Sequence, residues 1–198
     1  MFRVATRPAR TIGKNGPMVP AEAPDGELVD RIREAALRLF NERGYGSATV
    51  DAIAQAAGVG FGTLYRRWPD KPALANDVFH WVEASIVDAV SGTPITGATA
   101  EARFLEMFRR VWDFTDAHPD RVVFVEGHTH EAFLDHANRD MKASFLAGIA
   151  DELTDIGIRA TPELAVSMVT GTLVHLVRTG TKADPDDLGP RLWAALNA

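Results

Sequence analysis

Few residues of this 198-residue chain have the types and spacing that chemistry requires. With six histidines and no cysteine, the sequence excludes disulfides, thiolate metal sites and cysteine nucleophiles. His128-Thr129-His130, with Glu126 four residues before His130, is the grouping that invites a metal. Two histidines at i and i+2 of a helix point about 200° apart, so they converge only on extended backbone, and His118 and His136 do not join them by spacing. No metal or cofactor is expected there. The histidines read instead as polar groups of a pocket, His128 first among them, or as satisfied or exposed side chains. Gly58-Val59-Gly60-Phe61-Gly62 has the composition of a phosphate cradle, but it follows an Ala-rich helix rather than a strand and lacks the Gly-Lys-Ser/Thr ending. No Gly-x-Ser-x-Gly, His-Glu-x-x-His or recognisable pair of catalytic carboxylates occurs, and the chain is not expected to be an enzyme.

The elements around those glycines are more informative. Apolar residues at helical period predict a short helix from Val50 to about Ala57, a break over Gly58-Val59-Gly60, and a second helix from about Gly60 to Arg67. Two helices that short bury too little to stand alone. A helix-turn-helix explains them, its second helix in the major groove of DNA and a supporting helix, Glu27 to Arg43, closing a small core. In that supporting helix Leu28, Ile32, Ala35, Ala36, Leu39 and Phe40 fall on one face, and Gly44 and Gly46 stop it. Thr49 is placed to cap the second helix, Asp70 to cap a fourth, and Leu64 and Trp68 to anchor the third.

The run from Leu28 to Phe79 resembles the DNA-binding domain of the TetR family of bacterial transcriptional regulators. The likeness is carried by Phe40-Asn41-Glu42-Arg43-Gly44-Tyr45, Thr49-Val50-Asp51-Ala52-Ile53-Ala54, Ala57-Gly58-Val59, Gly62-Thr63-Leu64-Tyr65 and Trp68-Pro69-Asp70-Lys71. It implies that Phe61, Gly62 and Thr63 face base edges, that Tyr65, Arg66, Arg67 and Lys71 reach phosphates, and that Thr49 touches the backbone at the start of the second helix. It further implies a ligand-responsive regulator, most often a repressor, that binds a palindromic operator as a homodimer and is released by a small-molecule effector. Two residues depart from the pattern. Gly60 stands where a capping side chain is common. Phe61 stands where a polar or basic base reader is common; it cannot donate to guanine but can press on a thymine methyl. The alternative is a helical small-molecule-binding protein or enzyme whose helix-turn-helix has degenerated.

Charge is divided along the chain in keeping with the first reading. Residues 1–80 hold 11 Lys and Arg against 9 Asp and Glu, net +2, and residues 81–198 hold 10 against 18, net −8. The acidic part would be repelled from phosphate, which orients the molecule on DNA. The chain is expected to have a flexible basic arm over 1–25, a helix-turn-helix domain over 26–72 and a helical ligand-binding and dimerisation domain over 73–198. The arm carries Arg3, Arg7, Arg10 and Lys14 and is either a solvated tail or a segment that tracks phosphates. No apolar run approaches the roughly 18 residues of a membrane span. With no segment of signal-peptide type, a cytoplasmic protein is expected.

The expected fold class is all-α, with about nine helices. A fourth helix over 71–90 turns Leu74, Val78, Trp81, Val82, Ser85, Ile86 and Ala89 inward. A fifth over Glu101 to Ala117 has little polar surface and should run through the middle of the second domain. An irregular segment from Pro119 follows, then helices over Glu131 to Asp155, Pro162 to Thr179 and Asp186 to Asn197. Phe104, Phe108, Trp112, Phe124, Phe133, Met141 and Phe145 read mostly as core. The family resemblance implies a ligand cavity that some of them line together with His128. The eighth helix is apolar nearly all round. Val166, Val169, Leu173 and Leu176, with Leu188, Leu192 and Trp193 of the last helix, are candidates for a two-fold dimer interface; the alternative is a fully internal helix.

Overall fold

The computed structural model describes residues 25–128 and 132–198, and among these every regular element is a helix. The N-terminal arm and His130 lie outside the described residues. In chain order the helices are α1 (Asp25–Ser47), α2 (Val50–Ala57), α3 (Phe61–Arg67), α4 (Lys71–Ser91), α5 (Ala100–Ala117), α6 (Pro119–His128), α7 (His136–Ile156), α8 (Pro162–Thr179) and α9 (Pro185–Leu196). The expected irregular segment after Pro119 is a regular helix, because Pro119 sits at its first position, where a missing N–H costs nothing, and Phe124 finds a core to enter. The seventh helix starts later than predicted, where Asp135 accepts the Asn138 N–H at 2.9 Å.

Local chemistry sets the first four helices. Gly44, at φ 75 and ψ 157, breaks α1 in a conformation that a Cβ disfavours, and turns Tyr45 back onto Phe40, 5.7 Å between ring centres. The Thr49 hydroxyl accepts the Ala52 N–H at 3.2 Å and starts α2. Gly58 ends α2 in the left-handed region at φ 65, with the Gly58 N–H bonded to Gln55 O at 3.1 Å and that of Val59 to Ala54 O at 3.0 Å. That pair of bonds is the turn between α2 and α3. Asp70 accepts the Ala73 N–H at 2.8 Å and begins α4, with Pro72 in its first turn.

Two apolar cores are laid end to end. The first gathers α1, α2, Leu64 and Trp68 around the N-terminal half of α4, and includes Phe124 of α6 and Leu134. The second gathers Val90 of α4 with α5, α7, α8 and α9. Residues on α4 therefore belong to both. Val29 and Leu37, outside the face expected for α1, are also buried, because α6 covers α1 on the side away from α2. On α4 the expected inward Ala89 is exposed, while Ala75, Phe79 and Glu83 are buried. Helix α5 packs on α4, α6, α7, α8 and α9, the central position its composition predicts. Gly189 lets α9 seat closely: a Cβ there would come within 2.9 Å of Phe108.

Candidate nucleic-acid interface and internal cavity

Helix α3 is held by one buried side chain, Leu64, and by Trp68 just past its end, both facing the first core. The opposite face is open. Phe61 is 49% exposed and Tyr65 38%, their rings 4.4 Å apart, and Arg66 and Arg67 are exposed beside them. Gly62 is also exposed and Thr63 half-buried. The eight residues expected to share a site thus split into six on or at the end of α3 and two flanking positions. Of the latter, Thr49 is exposed with its hydroxyl oxygen already engaged as a cap. Lys71 is half-buried; its ammonium donates to Gly46 O at 3.2 Å and stands 4.4 Å from the centre of the Tyr45 ring. An ammonium has three donors, so that bond leaves two for a phosphate. Gly60 caps α3 with backbone only, as its lack of a side chain requires.

In the second core a cavity of about 90 Å³ lies between α4, α5, α7 and α8. Phe104, Phe108 and Phe145 line it, as expected. Trp112 does not; it faces a separate open groove with Leu176. Phe124, expected in the cavity, is fully buried in the first core between Phe40 and Phe79, 6.1 Å from each, because α6 turns its apolar face to α1 and α4. His128 follows it there: the ring packs 4.6 Å from Phe124, and Nδ1 pairs with Phe124 O at 2.9 Å. Phe133 stacks on Tyr45 at 4.3 Å, again in the first core, and Met141 is half-buried away from the cavity. Among the described residues no three His, Asp or Glu stand close enough to share a metal ion.

The candidates for a dimer contact differ in their exposure within the single subunit. Val166 and Val169 line the cavity, Leu173 and Leu192 are buried within the one subunit, and Leu188 and Trp193 pack half-buried on the second core. What α8 leaves exposed is a different stripe, Leu164, Ser167, Gly171, His175 and Arg178, spaced three and four residues apart, with Leu164 52% exposed. Helices α5, α6, α7 and α9 all pack on α8, with Ala165, Leu173 and Val174 buried.

The sequence reading missed a polar seam where α4 meets α6 and α7. Asn76 donates to Pro72 O at 3.0 Å and to Phe133 O at 2.7 Å, and accepts from Asp135 N and from the Asn138 amide, each at 2.9 Å. Two turns along the same face of α4, Glu83 is buried, and its Oε2 has no hydrogen-bond partner among the described residues. Burial pushes its carboxyl up to about 7, with Lys142 of α7 pulling the other way. Burial in turn pulls the Lys142 ammonium down, opposed by Glu83 and Glu126. A polar residue at period seven inside an otherwise apolar helix face was the available signal.

Comparison with known proteins agrees with this arrangement. The family described as bacterial regulatory proteins, tetR family, matches residues 32–78. The uncharacterized HTH-type transcriptional regulator Rv1556 of Mycobacterium tuberculosis is 49% identical over 43 residues, 22% of this chain and 21% of the relative. The regulator AcrR of Shigella flexneri is 37% identical over 60 residues, 30% of this chain and 28% of that protein. The matched stretch therefore spans less than a third of either relative's length. The fold is shared over much more. A TetR family transcription regulator from Marinobacter aquaeolei superposes with a TM-score of 0.70 at 21% identity, over 86% of this chain and 93% of that one. FadR of Bacillus subtilis, solved with stearoyl-CoA, gives 0.64 at 19%, over 85% and 97%. Residues 32–78 thus match the family described as bacterial regulatory proteins, tetR family, and the all-helical fold is similar to that of these solved structures along most of the chain.

Proposed function

We propose that the protein is a DNA-binding transcriptional regulator, a repressor that holds a palindromic operator as a homodimer and lets it go when a small molecule fills the cavity. One observation carries the reading: α4 begins at the candidate DNA surface, at Asp70 and Lys71, and its far end forms a wall of the cavity at Ile86 and Val90. A guest that moves that end moves α3 with it. The exposed Phe61, Tyr65, Arg66 and Arg67 supply the DNA contact: aromatic faces for thymine methyls and sugars, guanidinium groups for phosphates. The exposed α8 stripe around Leu164 and Gly171 supplies the subunit contact, and FadR in complex with stearoyl-CoA is a precedent for a small molecule bound on this fold. A reciprocal coupling of about 1–3 kcal/mol between the two sites would suffice for control.

The test is a band shift on operators selected from a random pool, with Arg67→Ala and Phe61→Ala compared against the unaltered chain. Loss of affinity on all sequences with Arg67→Ala, and loss of thymine preference alone with Phe61→Ala, are the expected results. Failure of the unaltered protein to select any sequence would favour the helical binding protein with a degenerate helix-turn-helix.

A further inference from the structure

The cavity between α4, α5, α7 and α8 says what kind of molecule it takes. No charged side chain lines it. Its single polar wall residue is Thr170, whose hydroxyl already donates to Val166 O at 2.9 Å, so no free donor faces inward. An ionised group placed inside would give up its hydration for nothing. Two hollows share walls with the cavity. One meets it at Leu146 and Val166 and carries Glu163; the other meets it at Val90, Met107 and Ile149 and carries Glu152, which is held by Arg103 at 2.6 Å. No cationic side chain lines either hollow, and the two guanidinium groups at the rim of the second are engaged, Arg103 with Glu152 and Arg110 with the carbonyls of Val90, Thr93 and Pro94. Glu163 is exposed, where an ion pair with a cation would add little.

Size narrows the class. An apolar cavity of about 150 Å³ stays dry and holds benzene. At about 90 Å³ this one is narrower, and suits a flexible hydrocarbon segment better than a ring. We infer that the effector is an uncharged, hydrocarbon-like molecule, recognised by shape against Phe104, Phe108 and Phe145, with any polar end left at one of the two openings. The inference rests on the effector role proposed above, but it fails separately.

Hexanol, hexanoate and hexylammonium share one chain and differ in charge, and each is titrated into the full-length protein while thermal unfolding is followed. Hexanol should raise the midpoint saturably, and both ions should bind at least about tenfold more weakly. Val169→Phe, which fills the cavity, should abolish the hexanol effect. Thr170→Val tests the wall independently, should the filled variant not fold: hexanol affinity stays within about threefold if shape alone is read. Equal binding of either ion, no saturable effect of hexanol, or a tenfold loss with Thr170→Val overturns the ligand class. Hexanol binding that leaves operator affinity untouched instead removes the effector role and keeps the ligand class.

Discussion

Glu83 is the residue least reconciled with its surroundings. Its carboxyl is buried at the junction of the two cores, its Oε2 lacks a hydrogen-bond partner among the described residues, and Lys142 from α7 acts on it while Glu126 from α6 acts on Lys142. Burial disfavours the anion, so the folded chain keeps the proton up to about pH 7, where an exposed glutamate would release it near 4.5. Between those values the folded state binds more protons than the unfolded one, and stability must fall as pH rises, levelling off above about 7. The shift corresponds to at most about 3 kcal/mol, less after solvent screening. Glu83→Gln removes the titration. Urea unfolding at pH 5.5 and pH 8 should show the unaltered protein weakening with pH and the variant nearly level, and more stable than its parent at pH 8. Equal slopes for the two proteins would mean that Lys142 holds the carboxylate ionised throughout.

Among elements, α4 is the one whose packing partners could only be partly foreseen. Its start, its Asp70 cap and the burial of Leu74, Val78 and Val82 were legible, because cap chemistry and helical period are local. So were α2, α8 and the turn at Gly58, which is a backbone requirement written as a glycine. What could not be read was which long-range partner each apolar face would meet. Phe124 and Phe133 look like Phe104 and Phe108 in sequence, and only the docking of α6 on α1 sends the first pair to one core and the second to the other. The same holds for Asn76, an ordinary polar residue until Phe133, Asp135 and Asn138 close around it. Its removal gives a prediction at this scale. Asn76→Ala takes away the partner of the Phe133 carbonyl and of the Asp135 N–H and leaves the Asn138 amide only its bond to Asn76 O at 3.1 Å, which costs about 1–3 kcal/mol for each buried group left unsatisfied. The expected result is a lower urea midpoint and faster amide exchange over residues 132–140, with α8 and α9 unchanged. Loss of protection spread evenly over all helices would show that Asn76 supports the whole fold rather than the α4 to α7 seam.

At the scale of the whole molecule, the proposed function requires two subunits, since a seven-residue α3 offers too few contacts to select a site and a palindrome needs a two-fold partner. The acidic second part of the chain, net −8 over residues 81–198, would face away from DNA while joining the two reading heads. The face left for that junction on α8 is the stripe from Leu164 to Arg178, and Gly171 lies at its middle. A Cβ at Gly171 meets nothing within 4 Å in the single subunit, so a larger residue is accommodated there without strain. It should even favour the helix, by roughly 1 kcal/mol on replacing an interior glycine. Across a two-fold interface the same side chain would meet its own copy or the partner's α8, and a glutamate would bring two carboxylates into a surface that must lose its water. Gly171→Glu is therefore expected to sediment as a folded monomer with undiminished helical content and a thermal midpoint that no longer depends on protein concentration. It should lose operator affinity by at least a factor of about a hundred, and the slope of log affinity against log salt should fall to about half, because half the phosphate contacts remain. A Gly171→Glu protein that stays dimeric would place the subunit contact elsewhere, with the open groove at Trp112 and Leu176 the next surface to test.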